Sequence, residues 1–287
     1  MDRSRISGGG SGGGVSESVY IHGTSEEEQR RLSLMNDVLL NPASIREMAL
    51  RGDESILDFG AGLGQFTRLM AHAVPRGRVV GIERNEEQLA GARKLAEADA
   101  ERVRVEFRSG DVLDLRLGDR EWGSFDLAHA RFLLEHVPDP LRVVKTMVRA
   151  VRPGGRIILA DDDHDVLRLW PEPPGFNDLW NAYIRTYDRI GNDPYVGRRL
   201  VSLLHEAGAV PRRNTWIFFG GCAGMEIFEV LAANMAGVIR TARETILGMS
   251  LFERDAFETV MRGYERWAKR PDAALWFAVA WAEGTRP

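Results

Sequence analysis

The chain has 287 residues, 44% hydrophobic and 28% charged, with a formal net charge of -4, and these proportions predict an ordinary soluble globular protein. Its single cysteine, Cys222, excludes a disulfide framework and any cysteine-based zinc site, and predicts a reducing, cytoplasmic compartment. With 38 basic against 42 acidic residues there is no global field to attract nucleic acid, and no apolar run of about 18 residues predicts a membrane span.

Residues 7–14 read Ser-Gly-Gly-Gly-Ser-Gly-Gly-Gly, with almost no side chain to bury, and predict a flexible arm over 1–19. Ser25 followed by Glu28 is a capping-box pattern, continued at helical spacing by Leu32, Met35 and Leu39. Asn41-Pro42 supplies an N-cap and an N1 proline for a second short helix toward Leu50. From residue 53 short apolar runs alternate with amphipathic stretches, the pattern of βα units. Strands are expected at 55–59, 78–83, 103–107, 125–130 and 156–160, and helices at 65–73, 86–98 and 140–151. Five strands in about 110 residues predict a doubly wound, mostly parallel α/β sheet. Residues 165–190 break the alternation: Trp170, Pro171, Pro173, Pro174, Trp180, Tyr183 and Tyr187 form an aromatic segment expected to cap the sheet. A helix over 197–207, a strand over 215–219, helices over 225–247 and 254–269, and a last strand over 274–280 complete the chain.

The most informative stretch is Asp58-Phe59-Gly60-Ala61-Gly62-Leu63-Gly64, where a strand runs into a glycine turn that opens a helix. Glycine there lets the chain turn sharply and lets a ligand approach the main chain. The dinucleotide spacing fails, because Gln65 stands at its third glycine, and no Gly-Lys-Ser/Thr follows to make a P-loop. The second strand ends in Glu83-Arg84-Asn85, an acid about 20 residues on, where a carboxylate can accept from both hydroxyls of a ribose. Ser109-Gly110-Asp111-Val112 follows the third strand.

As a set, these motifs resemble the class I S-adenosylmethionine-dependent methyltransferases, specifically their ubiquinone-biosynthesis-like branch, over roughly residues 20–160. The run Phe125-Asp126-Leu127-Ala128-His129-Ala130-Arg131-Phe132-Leu133-Leu134-Glu135-His136-Val137-Pro138-Asp139 and the turn Arg152-Pro153-Gly154-Gly155 also match. The resemblance implies a Rossmann-like sheet binding S-adenosyl-L-methionine. Asp58, Gly60, Ala61, Gly62 and Gly64 would wrap its methionine portion, Glu83 and Arg84 would meet the ribose, and Asp111 and Val112 would flank the adenine. His129, Ala130 and Arg131 would face cofactor and acceptor, and Tyr20, in N-terminal helices closing as a lid, would lie against the sulfonium. A sulfonium donor carries its own leaving group, so alignment and exclusion of water suffice; the absence of G-x-S-x-G and H-E-x-x-H agrees with that.

The cluster Asp161-Asp162-Asp163-His164-Asp165 ends the fifth strand, where open sheets place ligands. No metal is expected, since Arg131 stands where a catechol-type magnesium site needs an aspartate. His136, His164 and Asp162 are the candidate catalytic residues, for acceptor binding or proton removal. Trp170, Trp180, Tyr183 and Tyr187 are candidates to line an apolar acceptor pocket. The expected division is an arm at 1–19, a helical lid at 20–50, a cofactor-binding core at 51–164, an aromatic cap with a returning helix at 165–205, and final strands with inserted helices at 206–287. The expected function is methyl transfer to a small apolar or aromatic metabolite, with a homo-oligomer allowed. The alternatives are a cofactor-binding cyclase or regulatory module that transfers no methyl and, against the acidic composition, a nucleic-acid or protein methyltransferase.

Overall fold

A computed structural model describes residues 41–97, 104–189 and 191–287; the glycine arm, the helix expected at 25–39 and Tyr20 lie outside them. The first described helix, α1 (Asn41–Met48), leads into β1 (Ser55–Phe59), α2 (Gln65–Ala73), β2 (Arg78–Glu83), α3 (Glu86–Glu97), β3 (Val105–Ser109), β4 (Phe125–Arg131), α4 (Pro140–Ala150) and β5 (Val151–Asp162). Local chemistry sets several of these ends. The Asp139 side chain accepts from the Arg142 amide at 2.9 Å, with Pro140 in the first turn of α4, which satisfies one of the amides a helix start leaves open.

The second half comprises β6 (Arg168–Trp170), α5 (Phe176–Ile184), α6 (Leu200–Glu206), β7 (Val210–Cys222), α7 (Glu226–Thr241), α8 (Arg243–Gly248), α9 (Arg254–Trp267) and β8 (Ala274–Thr285). The sheet order is β3-β2-β1-β4-β5-β8, with β5 and β6 sharing one edge of β8 and β7 on the other. Because β8 is antiparallel to β5, β6 and β7 and the first five strands pair in parallel, β8 alone among the described strands runs in reverse. The expected mostly parallel α/β sheet is therefore what forms. Sheet strands are packed on both faces, one against α4 and α6, the other against α1 and α2.

Several elements differ from expectation, β3 (Val105–Ser109) by two residues and β8 (Ala274–Thr285) by five at its end among them. β5 begins at Val151, not 156: Val151 and Arg156 pair with Phe125 and Leu127, and the Pro-Gly-Gly turn bulges out between them. β6 was not foreseen, since three residues are too few to display alternation. β7 runs over 13 residues, because a long partner in β8 supplies hydrogen bonds along the whole strand. The long helix expected at 225–247 breaks at Ala242, where ψ is -3°. Helices α5, α7, α8 and α9 enclose a second core around Phe176, Leu231, Tyr264 and Trp267. Phe176 and Tyr264 stack there at 5.0 Å, and the buried Tyr264 hydroxyl donates to Ala232 O at 2.9 Å, so its polar end is satisfied where water is excluded.

Candidate active site

The glycine turn lies between the C-terminal ends of β1 and β2. The amides of Gly60 and Ala61 both donate to Ile82 O, at 3.0 and 2.9 Å, so the turn is clamped to the neighbouring strand. Gly62 (φ +55°) and Gly64 (φ +71°) occupy left-handed backbone, and their surroundings differ. A Cβ on Gly64 would sit 2.4 Å from Phe107 Cζ, whereas one on Gly62 would meet only Gln88 Oε1 at 3.6 Å. Gly64 is thus required for packing, and Gly62 presents an open backbone face. The Gly62 amide donates to Glu83 Oε2 at 2.9 Å and the Asn85 amide to Glu83 Oε1 at 2.8 Å, so the acid that ends β2 is tied to the turn 21 residues upstream. Exposed Arg84 follows it, while Ala61 is half-buried in the turn. Beyond β3, Asp111 is exposed and accepts from the Leu113 amide at 2.9 Å, with Val112 buried beside it.

Below the turn, parallel pairing sets Asp58 opposite His129. Asp58 accepts from the Thr67 hydroxyl at 2.6 Å and from His129 Nδ1 at 2.7 Å. Donation from Nδ1 leaves Nε2 as the acceptor nitrogen; His129 is 1% exposed and Nε2 has no partner among the described residues. Ala130 is buried within the sheet. Arg131 reaches α1 instead of open space: its guanidinium donates to Asn41 Oδ1 at 2.8 Å and Ser44 Oγ at 3.3 Å and lies 4.0 Å over the Phe66 ring. Burial pulls its pKa down to about 10, against the charge of Asp58, which raises it; at neutral pH it stays a cation. Arg131 therefore fastens α1 and α2 to the end of β4.

The ends of β4 and β5 carry a second, denser polar cluster. Asp161 accepts from the Leu133, Leu134 and Asp162 amides at 3.1, 2.8 and 3.0 Å. These bonds pin the chain just past Phe132, a non-glycine residue at φ +51°, a conformation that persists only where neighbours over-determine it. Glu135, 2% exposed, sets one oxygen 3.1 Å from His164 Nε2 and the other 3.3 Å from His136 Nε2. Burial works against the charged form of His164, yet the hydrogen bond and charge of Glu135 raise its pKa; burial lowers that of His136. Burial and the charge of Glu135 push Asp161 and Asp162 well above the usual carboxylate range, Asp161 despite its three amide donors. Asp162 is half-buried, and its Oδ1 is enclosed with no hydrogen-bond partner among the described residues. Glu135, Asp162 and His164 each present a ligand-type atom, all within 4.8 Å of one another.

All three candidate catalytic residues thus converge, around a fourth, Glu135, that sequence reasoning quoted within a motif without a role. The signal was its place directly before His136; what was missing was the approach of His164, 29 residues on. The four aromatic candidates separate. Trp180, Tyr183 and Tyr187 are buried around the His164 ring, with centroids 5.7, 5.8 and 5.3 Å away, and Trp180 Nε1 donates to His164 O at 2.8 Å. Trp170, 66% exposed on β6, stands apart from them.

Residues 57–159 match a family described as a methyltransferase domain. A demethylmenaquinone methyltransferase from Listeria monocytogenes serotype 4a is 31% identical over 144 residues, 50% of this chain and 56% of that protein. The chain spans about half the length of the curated relatives it matches. Among solved structures, the YcgJ protein of Bacillus subtilis superposes with a TM-score of 0.53 at 18% identity, covering 90% of this chain and 99% of that one. The [4+2]-cyclase SpnF does so at 0.50 and 19%, covering 91% and 82%. At these identities the likeness is one of fold.

Proposed function

With residues 57–159 forming a class I S-adenosylmethionine-dependent methyltransferase domain, we propose that the chain binds S-adenosyl-L-methionine across the glycine turn and transfers its methyl group to a small apolar or aromatic metabolite. The observation that carries this reading is the open backbone face of Gly62, whose amide is held by the Glu83 carboxylate. A bulky ligand can touch main chain there, and each Glu83 oxygen keeps a lone pair for a ribose hydroxyl. Asp111 and Val112 fit the adenine end. The cofactor supplies, when bound, an electrophilic methyl group on a sulfonium. The chain's part is to orient the acceptor and exclude water. Asp58 and His129 brace the turn from beneath. At the ends of β4 and β5, half-buried Asp162 and His136 are the partly exposed members of the cluster, with buried His164 and Glu135 behind them. Among the described residues no helix is long and apolar enough to cross a membrane.

The fold shared with a cyclase supports a second reading, in which the cofactor is bound without methyl transfer. Release of S-adenosylhomocysteine on incubation with a panel of phenols, quinols and amines decides between them. Acceptor-dependent release is expected. Tight cofactor binding with no release across the panel would favour the second reading, and no cofactor binding would overturn both.

A further inference from the structure

Glu135, Asp162 and His164 come from three separate points: the turn after β4, the last residue of β5, and the turn that follows it. Their ligand-type atoms lie within 4.8 Å of one another, and Glu135 to His164 measures 3.1 Å. Ligands on one ion with bonds near 2.1 Å lie about 3 to 4 Å apart, so small side-chain rotations close the set. Charge points the same way. Asp161, Asp162 and Glu135 crowd three carboxylates into an enclosed region. Asp161 is answered by three amides and Glu135 by two imidazoles. Asp162 Oδ1 is answered by nothing among the described residues. An enclosed polar group without a hydrogen-bond partner is costly, and a cation held by these three residues would supply one.

We propose that Glu135, Asp162 and His164 bind a divalent first-row transition-metal ion. One imidazole with two carboxylates suits zinc, manganese or iron(II), whereas magnesium and calcium favour all-oxygen sets. This reverses the expectation of no metal. Arg131 does exclude a carboxylate at the end of β4, but Glu135, four residues on, delivers one. The site does not depend on the methyl-transfer reading, because the ligands belong to a cluster separate from the glycine turn.

The test uses the full chain, stripped with EDTA and titrated with manganese chloride by electron paramagnetic resonance, with zinc chloride as competitor. One saturable site with micromolar affinity, displaced by zinc, is expected, together with a rise in melting temperature on adding zinc. Asp162→Asn and His164→Gln should each weaken binding at least tenfold. Asp163→Asn should leave it unchanged, since Arg198 takes both oxygens of that carboxylate at 2.7 and 2.5 Å. Cobalt(II) substitution provides a readout in the unaltered chain, through visible bands of a nitrogen-ligated centre. Absence of saturable binding in the unaltered chain, or affinity equal to it in the folded Asp162→Asn variant, would overturn the proposal. Failure of S-adenosylmethionine to bind, with manganese binding intact, would remove the methyl-transfer reading alone.

Discussion

Glu83 and the two inner glycines of the turn do different work, and single substitutions separate them. Glu83 holds the Gly62 and Asn85 amides and is proposed to hold the ribose. Glu83→Ala should therefore remove about 1.5 to 3 kcal/mol of charge-assisted bonding, roughly tenfold or more in affinity for S-adenosylhomocysteine by calorimetry. Unchanged affinity would take Glu83 out of the site. At Gly64 the left-handed backbone and the Phe107 ring 2.4 Å from a Cβ make Gly64→Ala a folding lesion, of about 2 to 4 kcal/mol in urea unfolding. Gly62→Ala meets no crowding, so it should cost stability only through its backbone strain, about 1 kcal/mol, and act mainly on cofactor affinity. Equal loss of stability in the two variants would contradict this division. The spacing of the three glycines was legible in the chain; which of them faces Phe107 was not, because that contact joins β3 to the start of α2.

At the scale of elements, the turn before β1 and the helix after β6 each offer a measurable consequence. Buried Glu54 accepts from the amides of Arg51, Gly52 and Asp53 at 2.7, 3.0 and 3.2 Å. Burial alone would raise its pKa, but those amides together bring it below the usual 4.5. A carboxyl depressed in the folded state contributes stability that is complete above the unfolded pKa and is lost as pH falls through the folded one. Glu54→Gln should thus lower stability at pH 7 by about 1 to 2 kcal/mol and lose that deficit below pH 4.5. A deficit that stays constant down to pH 3 would show that the charge is not responsible. In α5, Trp180 is 6% exposed and hydrogen-bonded, whereas Trp170 on β6 projects outward. Trp180→Ala should cost about 3 to 5 kcal/mol, seen as a large fall in melting temperature, and Trp170→Ala under about 1 kcal/mol. A similar fall for both would contradict the burial difference. Trp170 and Trp180 looked alike in sequence because exposure depends on what packs above them.

Among the described residues, apolar clusters lie on the two faces of the sheet, with a small one around Leu89 and Phe107, and another lies within the α5, α7, α8 and α9 unit; β8 contributes to the helical cluster and to both sheet faces. A ligand bound at the glycine turn as proposed would touch the sheet side alone. Hydrogen exchange should slow at residues 60–65, 83–85 and 110–113 on adding S-adenosylhomocysteine, with α7 to α9 unchanged. Protection spread evenly over the sheet and the helical unit would indicate that the helical unit closes with the cofactor.

Chain order alone determined the βα alternation, the glycine turn, the acid at the end of β2 and the acidic run at the end of β5. Each is a local pattern: hydrophobic periodicity, turn chemistry and capping all act within about ten residues. Tertiary structure alone decided that β8 runs in reverse between β5 and β7, that Arg131 grips α1, and that Glu135 meets His164 beside Asp162. Those outcomes join residues from 27 to more than 100 positions apart. They follow from strand order and from the packing of the helical unit onto the strand ends, which a single sequence's periodicity does not encode. Two histidines and an aspartate were therefore recognisable as candidates one by one, and only the fold gathered them, with Glu135, into one cluster.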